Sequence, residues 1–288
     1  MRARLRFKLP QASDRLQLGN TGLFVSPFCI GITDSPETIV QAYELGINFF
    51  FISADLHWPI YEQTRRGIAR LVHDSPSRRD EIVVAVVSYL DDPLFSALQF
   101  HEVINDVPGL QRVDVMIAGA VASDSSFSRV TALQQARARG HLGARAIGAS
   151  FHQRKYALAS DLYSLLDFNL IRYNTAHPGA RADLFPYLQP QSSAPMFNFK
   201  SMMFQVPERQ FRQMGLPPTA WMPQSCDYYR FVLSHPAVDG ILCSPTKPEE
   251  VRELVHAMEQ RPLTIEEQEY MIWLSSAAHA PLAQAMAV

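Results

Sequence analysis

The chain has 288 residues, of which 47% are hydrophobic and 19% are charged. This length allows one large α/β barrel or two average domains, and the apolar share is too high for a disordered chain. A formal net charge of −2 provides no overall field that would attract nucleic acid or anionic lipid. Three widely spaced cysteines, Cys29, Cys226 and Cys243, argue against a disulfide scaffold and against a zinc module.

The first ten residues, MRARLRFKLP, are basic, but no apolar segment follows them. No later stretch reaches the ~18 uninterrupted apolar residues that a membrane span needs. We therefore expect a soluble cytoplasmic protein that binds a small molecule and has neither a nucleic-acid nor a membrane partner. The sequence favours no particular oligomeric state.

Eight short apolar runs, each ending in small or polar residues, recur along the chain. They are PFCIGI, INFFFIS, EIVVAVVSY, VDVMIAG, ARAIGAS, FNLIRYN, PMFNFK and DGILCSP. Most are continuously apolar instead of alternating, which is typical of parallel strands that are buried on both faces. Each run therefore predicts one strand of a parallel sheet.

Amphipathic stretches separate these runs. In SPETIVQAYELG, Ser35 is a candidate N-cap, Pro36 takes the first helical position and Gly46 follows the end of the helix. A strand and a helix repeated eight times predict a (β/α)8 TIM barrel of the α/β class, formed by residues 1–288 as a single domain. A doubly wound sheet is the alternative, but it usually has fewer strands, and no GxGxxG motif follows the first one.

Two flanking segments complete the predicted architecture. Residues 4–26 contain turn residues Gly19, Asn20 and Gly22, and predict an N-terminal β-hairpin plug under the barrel floor. The segment PLTIEEQEYMIWLSSAAHAPLAQAMAV opens with Thr264 and Glu267 in capping-box spacing and predicts a C-terminal helical tail. This tail either covers part of the barrel mouth or packs against the side of the barrel.

Five segments, taken in order, resemble the landmarks of aldo-keto reductases. They are LGNTGLFVSPFCIGI, AYELGINFFFISAD, GARAIGASFH, IRYN and VDGILCSPTKPEEVREL. The resemblance runs from Leu16 to Glu267, which is nearly the whole chain. It implies a (β/α)8 barrel with a nicotinamide cofactor, NADP(H) or NAD(H), lying across the carboxyl ends of the strands, and no metal.

The second strand departs from the family pattern at the residues that carry the chemistry. The family has an Asp-Tyr-Lys-His tetrad in which the Tyr protonates the carbonyl oxygen while the cofactor delivers hydride. If the segments are aligned on Ser53 and Ala54, Ile52 stands at the Asp position and His57 at the Tyr position. Counting from Gly46 moves this frame by one residue.

The other two tetrad positions are also replaced. The third strand, which ends in Lys in the family, here reads Val87-Ser88-Tyr89, and the fourth, which ends in His in the family, here has Gly119. The chain is similar to a divergent bacterial branch that lacks the tetrad, with which it shares the segments RYNTAHPGA and DYYRF. We therefore expect an atypical catalytic site.

The resemblance also implies a cofactor site that is only partly kept. Ser150 matches the serine that holds the nicotinamide carboxamide, but Phe151 and Leu170 replace the expected Asn and Gln. Further residues of the implied cofactor site are Asn174, Phe199 as the stacking aromatic, and Ser244, Thr246 and Lys247 for phosphate before a helix.

Polar residues at the carboxyl ends of barrel strands are the natural candidates for catalysis. The expected ones are Asp55, His57, Tyr89, His152, Asn174, His177 and Lys200. An imidazole titrates near neutrality, so His57 could exchange protons without a helper lysine; it could also simply fill the mouth. Lys200, in an aromatic and Met-rich segment, could lose solvation and act as a base, a carboxylate clamp or an amine nucleophile, or extend along the rim to water. Tyr89 could donate a hydrogen bond or be a core tyrosine.

Three functions remain open at the level of sequence. The first is an aldo-keto-reductase-like NAD(P)(H)-dependent oxidoreductase with a non-standard proton donor, acting on a bulky small molecule in a specialised biosynthetic pathway. The second is a non-redox isomerase, cyclase or lyase on the same barrel. The third is a non-catalytic homologue.

Overall fold

A computed structural model describes residues 6–93, 95, 97–189 and 194–285. Eight parallel strands close into a barrel: β3 (Phe28–Ile30), β4 (Phe49–Ser53), β5 (Val83–Ser88), β6 (Val115–Val121), β7 (Ala146–Phe151), β8 (Phe168–Arg172), β9 (Met196–Phe199) and β10 (Gly240–Cys243). Each strand pairs with the next one in the chain, and β10 pairs with β3. The predicted (β/α)8 barrel is confirmed, and every predicted run overlaps one of its strands.

Helices follow the strands around the barrel. They are α1 (Pro36–Glu44), α2 (Glu62–Asp74), α3 (Arg78–Glu81), α4 (Phe100–Asp106), α5 (Asp124–Ala138), α6 (Arg154–Leu162), α7 (Ala180–Asp183), α8 (Glu208–Gln213), α9 (Ser225–Leu233), α10 (Pro248–Ala257) and α11 (Ile265–Ala285). Helix α1 begins as predicted, because the Ser35 side chain accepts a hydrogen bond from the backbone N–H of Glu37. No helix among the described residues is long and apolar enough to cross a membrane.

Aromatic rings fill the interior of the barrel near its amino-terminal end. Phe49, Phe168 and Phe197 project inward from β4, β8 and β9 and meet edge to face, with ring centroids 5.0–5.7 Å apart. All three are fully buried. This layer closes the barrel from below, so the space for a ligand lies at the carboxyl ends of the strands.

The predicted amino-terminal hairpin is present. Strand β1 (Leu16–Gln17) pairs with β2 (Phe24–Val25) in antiparallel fashion, and residues 4–5 of the predicted segment lie outside the described residues. The turn reaches the loops that precede β7 and β8: Arg145 donates to the carbonyl of Thr21, and a Cβ at Gly19 would lie 2.5 Å from the Asp167 carboxylate. The hairpin therefore lies under the barrel floor.

The carboxyl-terminal tail forms the long helix α11, and residues 286–288 of the predicted segment lie outside the described residues. The expected capping box is formed: the Thr264 N–H donates to the Glu267 carboxylate, and the Glu267 N–H donates to the Thr264 hydroxyl. Leu274 packs against Val206 in the loop after β9, and Ser275 donates to Thr175 in the loop after β8. Helix α11 thus supports the loops around the mouth.

A buried histidine makes the fold sensitive to acid. The His235 ring lies 4.3 Å from the Phe185 ring, and its Nδ1 accepts a hydrogen bond from the Ala237 N–H, which requires a neutral imidazole. Burial, together with the charges of Arg181 and Arg6, lowers the pKa of His235 from 6.5 to about 4. The unfolded chain therefore binds one more proton than the folded chain between these two pH values.

The free energy of unfolding should fall as the pH drops from 6.5 to 4, and His235 should contribute about 2–3 kcal/mol to that fall. His235→Asn keeps an acceptor but cannot titrate, so its urea-unfolding free energy should depend less on pH in this window. His73→Asn, an exposed histidine on α2, serves as the control and should leave the slope unchanged. Equal slopes for His235→Asn and the wild type would show this assignment to be wrong.

Candidate functional site

A cavity of about 790 Å³ opens at the carboxyl ends of the barrel strands. Six of the predicted site residues line it: His57, Tyr89, Ser150, Phe199, Lys200 and Ser244. Four do not line it: Asp55, Asn174, Thr246 and Lys247. The wall is mostly apolar, with contributions from Ile32, Leu170 and Leu242. Such a pocket suits a partly apolar small molecule.

One wall, built on β4 and β5, carries three groups that can donate protons. The His57 ring contacts the Tyr89 ring edge to face, with centroids 4.7 Å apart, and its buried Nδ1 has no hydrogen-bond partner among the described residues. Tyr61, from the short 3₁₀ turn Trp58–Tyr61, adds a second phenol. Burial, and then the Asp55 charge, raise the pKa of Tyr89; burial, and then Tyr89 and Cys29, raise that of Tyr61. Both phenols are therefore protonated hydrogen-bond donors near neutral pH.

Tyr89 and Gly119 are sterically coupled. A Cβ on Gly119 would lie 2.6 Å from Cδ1 of Tyr89 and 2.8 Å from Cγ2 of Val87. The Tyr89 ring thus occupies the space that any side chain at position 119 would need. The Tyr89 ring, just after β5, can therefore lie here only if position 119 on β6 is a glycine.

Asp55 fastens the loop after β4 to the end of β5. Its Oδ2 accepts from the Ser88 hydroxyl at 2.7 Å, from the Tyr89 N–H at 2.7 Å and from the Leu90 N–H at 3.2 Å. Its Oδ1 accepts from the Leu56 N–H at 2.7 Å. Both carboxylate oxygens accept hydrogen bonds, and Asp55 does not line the cavity. Asp55 therefore positions the backbone of Tyr89, whereas the sequence suggested a direct catalytic role for it.

Strand β4 presents an aromatic residue to the cavity. Phe49 points into the barrel core and Phe51 lines the cavity, whereas Ile52 is fully buried away from it. Side chains alternate along a strand, so Phe51 is the inward residue at this level. Ile52, which one of the two alignments sets against the Asp of aldo-keto reductases, therefore faces away from the cavity. His57 lines the cavity together with Leu56.

Two residues expected for a nicotinamide, Ser150 and Phe199, also line the cavity. In the closed strand order, β9 lies across the barrel from β5, so Phe199 and Tyr89 face each other over the cavity. The Ser150 hydroxyl accepts from the Ala120 N–H at 2.8 Å, which leaves its own proton for a ligand. Leu170 beside them offers no hydrogen bond, and Phe151 is buried outside the cavity.

Lys200 lies at the rim, where its exposure contradicts the expected loss of solvation. Its backbone has a φ of 60°, and its ammonium lies 6.0 Å from the centre of the Phe199 ring. The turn after β9 directs the side chain past the aromatic residues towards water. Of the two possibilities given by the sequence, a desolvated lysine or a lysine that extends along the rim to water, the structure shows the second.

Asn174 is a structural residue in the loop after β8. Its amide donates to the carbonyl of Lys200 at 2.8 Å and accepts from the N–H groups of Ala176 and His177. It is fully buried outside the cavity, so the expected cofactor contact is not formed. His177 lies outside the cavity lining as well, next to the Phe204 ring.

A carboxylate occupies the predicted phosphate site at the start of α10. The Thr246 N–H donates to Oε2 of Glu250 at 2.8 Å, and the Thr246 hydroxyl donates to Oε1 at 3.1 Å. Lys247 is exposed at the N-cap position. The donors expected to hold phosphate are therefore already used by an internal anion. Within the described part of the chain, no group of three or more His, Cys, Asp or Glu is placed to hold a metal ion.

Two tyrosines of the cavity wall were not predicted as site residues from the sequence. Tyr61 comes from a 3₁₀ turn whose four residues carry no periodic signal, and Tyr229 comes from helix α9 instead of a strand end. Burial raises the pKa of Tyr229. The sequence features that could have indicated these two tyrosines are the segments WPIY and DYYRF. Cys243 also lines the cavity, and its thiol lies 3.5 Å from the carbonyl of Cys29.

Solved structures of aldo-keto reductases share this fold. The holo form of aldo-keto reductase AKR11C1 from Bacillus halodurans superposes with a TM-score of 0.68 at 17% identity, covering 94% of this chain and 96% of that one. The Bombyx mori aldo-keto reductase AKR2E4 in complex with NADP gives 0.69 at 18% identity, covering 91% and 92%. A putative aldo-keto reductase from Pseudomonas aeruginosa, PA4992, gives 0.60 at 15% identity, covering 88% and 98%. No protein-family model and no curated protein matches the sequence. At these identities the likeness establishes the fold.

Proposed function

We propose that this protein is a nicotinamide-dependent carbonyl reductase of the aldo-keto reductase superfamily, from a branch without the usual tetrad. The observation that carries the proposal is that one cavity is lined by Ser150 and Phe199, which suit a nicotinamide, and by His57 and Tyr89, which can donate protons. The two structural relatives named as holo or NADP-bound support a nicotinamide cofactor. We further propose that the protein acts in the cytoplasm.

The residues divide the work between binding and proton transfer. A bound reduced nicotinamide supplies hydride; Ser150 can donate to its carboxamide, and Phe199 offers a face for stacking. Tyr89, a neutral phenol, donates a hydrogen bond to the substrate carbonyl oxygen. His57 supplies the proton to the alkoxide that forms there. Asp55 keeps Tyr89 in place through its backbone.

The cavity fits the two ends of a dinucleotide unequally. The nicotinamide end fits, since a serine hydroxyl and an aromatic face line the wall. At the start of α10, a phosphate can use the Thr246 donors only if the Glu250 carboxylate leaves them. Binding there should therefore be weakened by Glu250.

Nucleotide binding tests the proposal. NADPH and NADH are titrated into the protein while nicotinamide fluorescence is followed. Saturable binding of either nucleotide is expected, and Ser150→Ala and Phe199→Leu should each weaken it by about tenfold, because each removes one group that contacts the ring. If neither nucleotide binds, the reductase proposal is wrong.

Glu250→Gln should raise the affinity for NADPH by about three- to tenfold, since it removes a competing negative charge from the Thr246 donors. The same titration measures the effect. Glu259→Gln, an exposed acid beyond the end of α10, is the matched control and should leave the affinity unchanged. An unchanged or weaker affinity in Glu250→Gln would mean that phosphate does not bind at this helix start.

A second candidate function is proton-transfer chemistry without hydride, such as that of an isomerase, cyclase or lyase. Two observations favour it: Leu170 provides no polar contact for a carboxamide, and Glu250 occupies the phosphate donors. His57 and Tyr89 would then act directly on the substrate. This candidate predicts turnover that needs no nicotinamide nucleotide.

A further inference from the structure

We propose that the rim of the cavity binds an anionic group between Lys200 and Arg172, and that this group is a carboxylate carried by the substrate. The inference deepens the proposed function, because it names the substrate class as a bulky apolar carbonyl compound with an acid group. As a binding site, it stands on its own observations and can be tested without nicotinamide.

Both cations are neighbours of Phe199, one along the chain and one across the sheet. Arg172 is the register partner of Phe199 across the pair β8 and β9, and Lys200 follows Phe199 directly. Side chains two residues apart on a strand share a face, so Arg172 projects on the same side as Leu170, one level closer to the mouth. The His152 ring lies 5.9 Å from the Phe199 ring and also lines the cavity. Lys200 and His152 therefore lie near the Phe199 ring and line the cavity, and Arg172 lies beside Phe199 on the neighbouring strand.

These cations lack the carboxylate partners that other basic residues of the chain have. Neither Lys200 nor Arg172 has an Asp or Glu oxygen within 4.0 Å among the described residues, whereas the neighbouring Arg154 holds Asp183 through two hydrogen bonds of 2.5 Å. Positive charge at the rim is thus left for a ligand. A guanidinium and an ammonium together suit a carboxylate or a phosphate oxygen pair.

The field of both cations reaches the cavity. Burial comes first among the causes that lower the pKa of His152, followed by the charges of Lys200 and Arg172. Burial also leads for His177, followed by Arg172, Arg154 and Lys200. Both imidazoles experience the same pair of charges, so the two cations act on one shared space at the rim.

The rest of the rim is apolar and exposed. Leu56 is 77% exposed, Ile60 50% and Met203 37%, and all three line the cavity. A ligand with an apolar body would cover them while its acid group reaches Lys200 and Arg172. Covering these side chains also excludes water from the rim, which strengthens the attraction between the charges. The rim therefore favours an amphiphilic acid over a neutral compound of the same size.

Two probes of equal shape separate the contribution of charge from that of apolar contact. Binding of naphthoate and of naphthylmethanol is measured by calorimetry at low ionic strength. We expect naphthoate to bind about tenfold more tightly, as for a charge-assisted hydrogen bond. Lys200→Gln and Arg172→Gln should each remove most of this preference and leave the affinity for naphthylmethanol unchanged. Lys8→Gln, an exposed lysine in the amino-terminal segment, makes the same charge change and should retain the preference.

Equal binding of the two probes, absence of naphthoate binding, or an unchanged preference in both rim variants would each overturn the proposal. A parallel titration with NADPH distinguishes the source of the anion. If Lys200→Gln and Arg172→Gln weaken NADPH and leave naphthoate unchanged, the rim holds a cofactor phosphate and the substrate carboxylate is ruled out. Rim-dependent binding of naphthoate without any nucleotide binding would keep this inference and refute the reductase proposal.

Discussion

His57→Phe should lower kcat for nicotinamide-linked reduction of naphthaldehyde by about 100- to 10,000-fold, the usual contribution of a general acid. Phenylalanine keeps a ring against Tyr89 and fills the same part of the wall, but it cannot carry a proton. Hydride arriving at the carbonyl carbon would then leave an alkoxide without its proton source. Steady-state kinetics with either nucleotide measure the effect.

The pH profile of kcat separates a proton donor from a residue that only shapes the wall. The dependence of kcat on pH that a general acid confers should be present in the wild type and absent from the residual activity of His57→Phe. Tyr89→Phe should also lower kcat, because the buried phenol stays protonated and stabilises the developing oxyanion by a hydrogen bond. An exposed tyrosine on the outside of the barrel gives the control, Tyr163→Phe, with unchanged kinetics. Activity of His57→Phe within threefold of the wild type would exclude His57 as the donor.

Arg79→Met should destabilise the protein by about 3–5 kcal/mol, because it breaks a fully buried ion pair. Arg79 and Asp114 are each 1% exposed and are joined by a hydrogen bond of 2.8 Å. The guanidinium also donates to the carbonyls of Leu110, Ile82 and Arg112. Methionine fills a similar volume but removes the donor to the Ile82 and Arg112 carbonyls, whereas the Leu110 carbonyl still accepts from the Arg112 N–H.

Urea unfolding measures the loss for Arg79→Met. Arg209→Met is the control: Arg209 is exposed on α8, and the same replacement there should change the free energy of unfolding by less than about 0.5 kcal/mol. The loss of unfolding free energy for Asp114→Asn should lie between those for Arg79→Met and Arg209→Met, since the amide oxygen can still accept from the Val84 N–H. A loss below about 1 kcal/mol for Arg79→Met would mean that this cluster adds little to stability.

The strands of this barrel were predictable because both of their faces are buried. In β5 every residue from Val83 to Ser88 is buried, so the sequence VVAVVS shows no polar alternation. The helix N-caps were equally predictable from the sequence. Ser35 and the pair Thr264 and Glu267 form their capping hydrogen bonds within three residues along the chain. Such signals depend only on neighbours in sequence, which a single chain displays directly.

The site was less predictable because it depends on contacts between distant residues. Asp55 and Asn174 follow strands as catalytic residues do, yet their side chains are used to fasten neighbouring loops. The start of α10 resembles a phosphate site in sequence. In the structure, however, the Glu250 carboxylate accepts the hydrogen bonds that Thr246 would donate to a phosphate. Hydrogen-bond partners of this kind are decided by side-chain placement in three dimensions, and sequence spacing does not reveal them.

Isotope transfer tests the reductase proposal most directly. NADPH or NADH carrying deuterium at the hydride position is incubated with the protein and naphthaldehyde, and the alcohol is analysed by mass spectrometry. A reductase with the cavity described above yields naphthylmethanol with one deuterium at the former carbonyl carbon, and His57→Phe forms it far more slowly. Failure of the wild type to produce labelled alcohol, although the nucleotide binds, would contradict a hydride-transfer function.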